Sequence, residues 1–114
     1  MEYRYRIYNE IYNDMISGKK TIEFRLLNEK SESIKRGDTI KFIAVDNDKK
    51  FLITEVIDKY IYDNLDELWN SRDILNNALN YSKEELIKAF NNIFGKEQVS
   101  NSKIVGFKIK VINQ

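Results

Sequence analysis

The chain has 114 residues, with 19 Lys and Arg against 18 Asp and Glu, and neither cysteine nor histidine. That length fits one domain and buries a core without covalent staples, while the missing residue types exclude disulfides, thiolate chemistry, an imidazole general base and a structural zinc site. A net charge of +1 excludes a strong whole-molecule field for nucleic acid, so any such contact has to come from local placement of charge.

Hydrophobic residues make up 42% and charged residues 32%, the balance of a globular chain. No apolar run approaches the roughly 20 residues of a membrane span. The opening MEYRYRIYNE lacks the apolar stretch of a signal peptide. The expectation is one cytoplasmic domain over residues 1–114, with no cofactor, no metal and no membrane partner.

The first elements read cleanly. Tyr3, Tyr5 and Ile7 alternate with Arg4 and Arg6, which predicts a half-buried strand. From Tyr8 the apolar spacing changes: Tyr8, Ile11, Tyr12, Met15 and Ile16 make the stripe of an amphipathic helix. Gly18 follows as a helix stop. Ile22, Phe24 and Leu26 then alternate with Thr21, Glu23 and Arg25, a strand with one apolar and one polar face. Residues 27–36 are polar and read as a loop.

Gly37-Asp38 is a turn signal ahead of a strand from Thr39 to Val45, with Ile40 and Phe42 inward. Asp46-Asn47-Asp48 turns the chain into FLITEVIDKYIY, a run long enough to require a bend or bulge in a small sheet. Leu65, Leu68 and Trp69, then Ile74, Leu75, Ala78 and Leu79, suggest two short helices. Ser82 and Glu85 form a capping box for a further helix, with Leu86, Ile87, Phe90, Ile93 and Phe94 as its buried side and Gly95 as its end. Val105, Phe107, Ile109 and Val111 alternate through a closing strand. The short strand-to-strand loops favour antiparallel pairing. Lys103, Lys108 and Lys110 would join Arg4 and Arg6 in a basic stripe if the two terminal strands pair.

Gly18, Lys20, Glu23 and Arg25 stand as Gly-x-Lys-x-x-Glu-x-Arg at a helix-strand junction, and Gly37-Asp38 opens the next strand. With the closing NSKIVGFKIKVI, this order resembles the ASCH domains of the PUA-like superfamily over nearly the whole chain. The resemblance implies an α+β fold: a PUA-like curled β-barrel of about five or six mostly antiparallel strands with flanking helices. It also implies a cleft beside the first helix, lined by the motif, that binds RNA or a modified nucleoside or nucleotide. One bacterial branch is a metal-independent amidohydrolase that removes the acetyl group from N4-acetylcytidine using a Lys, a Thr and a Glu. Lys20 matches that Lys. Glu23 stands at the Thr position, and Leu79 and Asn80 stand where the Glu would fall.

On spacing alone, Glu23 and Arg25 read first as an exposed ion pair of little value and second as a polar reader in which Arg25 offers a donor fork and Glu23 an acceptor; the resemblance reverses that order. Lys20 is a solvated lysine, a phosphate contact or a proton-transfer group. Asp38 reads first as a turn cap and second as a ligand contact. Tyr3, Tyr5, Tyr8 and Tyr12 offer rings, one of which would stack on a base. The binding reading therefore rests on Lys20, Glu23, Arg25 and Asp38. The enzymatic alternative, on acetylated nucleosides or as an RNA-cleaving activity, rests on Lys20 with Thr21 or water. A third reading, a protein-interaction domain, requires Glu23 and Arg25 to be exposed and to line no cleft.

Overall fold

The structure, a computed structural model, describes residues 1–71 and 82–113. In chain order the elements are β1 (Glu2–Ile7), α1 (Asn9–Ile16), β2 (Ile22–Leu26), α2 (Glu29–Ser33), β3 (Thr39–Ala44), β4 (Phe51–Tyr62) and α3 (Leu65–Asn70). After residue 81 come α4 (Lys83–Phe94), α5 (Lys96–Asn101) and β5 (Ile104–Asn113). The second short helix expected around Ile74 to Leu79 lies outside the described residues.

The five strands form one curled sheet in the order β1-β3-β4-β5-β2, the architecture of a PUA-like half-barrel with flanking helices. β3–β4, β4–β5 and β5–β2 pair antiparallel. β1 and β3 pair in parallel, contrary to the short-loop expectation, because α1, β2 and α2 intervene and carry the chain back to the starting end. The long strand β4 carries the expected irregularities, between Ile53 and Thr54 and between Val56 and Asp58. These let twelve residues wrap around the core.

The chain's own punctuation sets the ends of the helices. Gly18 follows the C-cap of α1 with φ +80, and nothing lies within 4 Å of where a Cβ would sit, so backbone conformation rather than space calls for glycine. Ser82 and Glu85 form the capping box of α4. α2 occupies part of what reads as loop. Asn28 and Ser31 cap it reciprocally, and Lys59 donates to the Glu32 and Ile34 carbonyls at its C-terminal end.

Two apolar clusters hold the fold. Ile7, Met15, Phe42, Leu52, Val56 and Phe107 fill the inside of the curl. Ile22, Phe24, Leu68, Leu86, Phe90 and Ile104 form a second layer outside it, under α3 and α4. Each such side chain contributes about 1.5–3 kcal/mol on burial. β5 therefore begins buried on both faces and alternates only beyond Phe107.

The terminal strands do not pair with each other. β1 is an edge strand beside β3, and β5 lies between β4 and β2. The basic stripe that depended on their pairing is not formed, and Lys103 instead pairs with Asp63 at 3.4 Å. Among the described residues no helix is long and apolar enough to cross a membrane.

Candidate functional site: a cleft with a charged floor and an apolar mouth

Register decides where the motif points. Glu23 lies opposite Phe107 and Arg25 opposite Val105, both of which face the inside of the curl. Ile22 and Phe24 take the other face, in the outer cluster. Both faces of β2 are thus covered, and the polar face looks into the barrel at its open edge.

A cleft of about 260 Å³ opens there. Glu23 and Arg25 line it from β2, Lys20 from the turn before β2, Arg6 from the end of β1, and Tyr8 and Ile11 from the start of α1. α4 closes the far side with Leu86, Ala89, Phe90, Ile93 and Phe94. Tyr8, Val45 and Ile93 are about half exposed at its mouth. The sequence pattern assigned Ile93 to the core of α4; the structure places it on the cleft wall, 51% exposed.

The floor is a network of three charges. Glu23 Oε2 accepts from Arg25 Nε at 3.1 Å and from Arg25 Nη2 at 2.9 Å. Glu23 Oε1 lies 3.4 Å from the Lys20 ammonium. Arg25 Nη2 also donates to the Arg6 carbonyl at 3.0 Å. The Lys20 and Glu23 side chains are 5% and 8% exposed. Pairing is what makes their burial tolerable. Two cations share one carboxylate, so the floor keeps a net positive charge.

The neighbourhood of Arg25 adds to that charge. Its guanidinium lies 4.3 Å from the centre of the Tyr5 ring, and the Lys30 ammonium lies 4.0 Å from it. Burial and the Arg25 charge push the Lys30 pKa down. Burial pushes the Tyr5 hydroxyl up, against the opposing pull of Arg25. That hydroxyl is buried and has no hydrogen-bond partner among the described residues.

The structure brings Lys20, Glu23 and Arg25 together and leaves two other candidates apart. Asp38 caps its turn, accepting from the Lys35 N–H at 2.8 Å and pairing with the N-terminal ammonium at 3.4 Å. It does not line the cleft. Thr21 is half-buried, its carbonyl accepts from the Ile109 N–H at 2.9 Å, and it too is absent from the cleft wall. Glu23 is buried and lines a cleft, against the requirement of the protein-interaction reading. Among the described residues no three carboxylates gather as a cation site.

No family model and no curated protein matches the chain. Solved structures do. The hypothetical protein PH0355 is similar with a TM-score of 0.82 and 28% identity, over 98% of this chain and 100% of that one. PF0455 from Pyrococcus furiosus is similar with a TM-score of 0.75 and 28% identity, over 100% of both chains. The ASCH domain from Lactobacillus crispatus is similar with a TM-score of 0.72 and 16% identity, over 99% of this chain and 81% of that one. The last likeness is one of architecture, and it shows that the chain has the fold of ASCH domains.

Proposed function

We propose that the cleft binds a base of single-stranded RNA or of a modified nucleoside or nucleotide. The observation that carries this reading is the Lys20 ammonium: it is buried, Glu23 is its one ion-pair partner among the described residues, and it lines a cleft of about 260 Å³. A buried cation with spare donors is suited to a ligand acceptor. Glu23 Oε1 is suited to an exocyclic amine, since Oε2 already takes both Arg25 bonds. Arg25 Nη1 makes no hydrogen bond among the described residues and is a second donor to the ligand. Tyr8, Phe90 and Ile93 supply apolar surface for the faces of the base.

Titration of wild type with nucleosides and short single-stranded RNAs tests this. Lys20→Ala and the pair Glu23→Ala with Arg25→Ala are expected to weaken binding at least tenfold, with circular dichroism checking that each remains folded. Equally weak binding by wild type and variants would overturn it.

The hydrolytic alternative on N4-acetylcytidine-like nucleosides needs a nucleophile beside Lys20. Among the described residues Tyr8 is the one hydroxyl-bearing side chain on the cleft wall, so that chemistry would run through water. Cytidine release above that of Lys20→Ala is its test, and the geometry favours binding.

A further inference from the structure

Among the described residues three cations line the cleft, Arg6, Lys20 and Arg25, and they differ in what they are free to do. Arg25 is committed to Glu23 by two hydrogen bonds and to the Arg6 carbonyl by a third contact. Lys20 is sealed in beside the same carboxylate, with its side chain 5% exposed. Pulling either away would strand a buried charge. Arg6 is the exception. Its side chain is 52% exposed, and its partner Asp48, on the turn between β3 and β4, is 80% exposed. An ion pair in water holds its members with little net energy and exchanges readily for a better one.

The guanidinium of Arg6 is also only partly used. Nη1 makes both of its side-chain contacts, to Asp48 Oδ1 and to the Ala44 carbonyl. Nε and Nη2 have no hydrogen bond among the described residues, which leaves a planar edge suited to two oxygens of one anion. Arg6 is held beside the floor through its own carbonyl, which accepts from Arg25 Nη2 at 3.0 Å. Arg6, by hydrogen bond and by charge, lowers the Asp48 carboxyl from its ordinary value. A phosphate monoester brings more charge and more acceptor oxygens than the carboxylate it would displace.

We infer that Arg6 is the phosphate contact of the cleft and that Asp48 is the internal carboxylate the phosphate replaces, so that the site selects a phosphorylated nucleotide over the neutral nucleoside. This rests on the base-binding reading above. The shared chemistry is a phosphate next to a bound base, and it has two sources: a nucleoside 5′-monophosphate or a phosphodiester in an RNA strand.

The test is calorimetric titration with the four nucleosides, their 5′-monophosphates and a short single-stranded RNA. Monophosphates or RNA are expected to bind about tenfold tighter than nucleosides. Arg6→Ala closes that gap by weakening the phosphorylated ligands, Arg6→Lys keeps part of it, and Asp48→Asn widens it a few-fold. A gap seen with RNA alone assigns the phosphodiester; a gap seen with monophosphates alone assigns the monoester. Nucleoside binding with no gap, or a gap that survives Arg6→Ala, overturns the role of Arg6 and leaves the base-binding reading standing. No binding of any probe by wild type overturns both.

Discussion

Ile22, Phe24 and Glu23 are almost equally hidden, at 3%, 6% and 6% exposure, although they leave β2 on opposite faces. On the outer face each buried carbon is favourable by itself, since transfer out of water stabilises it whatever its neighbours. On the inner face burial is unfavourable for every charge and is tolerated only because Glu23 meets Arg25 and Lys20 together. One face is held by area and the other by geometry. The geometric face is the one with spare donors pointing at open space.

Removing the shared carboxylate breaks this contrast most severely. Glu23→Ala leaves two cations in the barrel mouth without a counter-charge, and urea denaturation is expected to show a loss of about 3–5 kcal/mol. A joint replacement of Lys20, Glu23 and Arg25 by apolar residues of similar volume is expected to restore most of that stability while abolishing ligand binding. Stability that stays low in the triple variant would mean that the charges are themselves structural.

On the apolar face, a smaller loss is expected at Gly106, which sits across from Phe24. A Cβ there would fall 2.9 Å from Phe24 Cε1 and 3.4 Å from Ile22 Cγ2. Gly106→Ala is expected to lower stability by about 1–3 kcal/mol through overpacking. Combining it with Phe24→Leu, which withdraws the ring edge, is expected to give less than the sum of the two losses in a double-mutant cycle.

Ion pairing in water marks the lower end of the scale. Arg6→Ala is expected to change the unfolding free energy by no more than about 0.5 kcal/mol, although it removes an ion pair where Glu23→Ala removes two. The faintest effect is a pH effect at Asp38. The Lys35 N–H, then the N-terminal ammonium, hold its carboxyl below the ordinary 3.8. A carboxyl lowered on folding stabilises the fold above its unfolded value and loses that contribution as pH falls through the folded one. Thermal melts of Asp38→Asn are therefore expected to fall less steeply than wild type below pH 3.8.

Much of this was readable in residues that act locally. Gly18, Gly95 and the Ser82–Glu85 box set helix ends through their own backbone and side-chain bonds, and the alternation through β2 separated its two faces. Residues 29–33 read as loop because one turn of helix shows no periodicity; the Asn28 and Ser31 caps were the available signal. Ile93 read as core because spacing places a residue on a helix face without saying whether that face meets a core or a cleft. Arg6 carried no local signal. The parallel pairing of β1 with β3 sets Ile7 beside Ala44 and brings Arg6 to the turn that holds Asp48, a contact 42 residues distant in sequence.

The gap between β1 and β2, where the curled sheet fails to close, is crossed by side chains. Arg25 donates to the Arg6 carbonyl and Lys30 to the Arg4 carbonyl. These two oxygens belong to an edge strand, and a free edge is a template on which a second chain adds a strand. Here an incoming strand would find the acceptors occupied and two positive charges in its path. The contacts that span the barrel's opening thus also occupy two acceptors on which a second chain would pair, and solubility is the property in which a Lys30 substitution is expected to show.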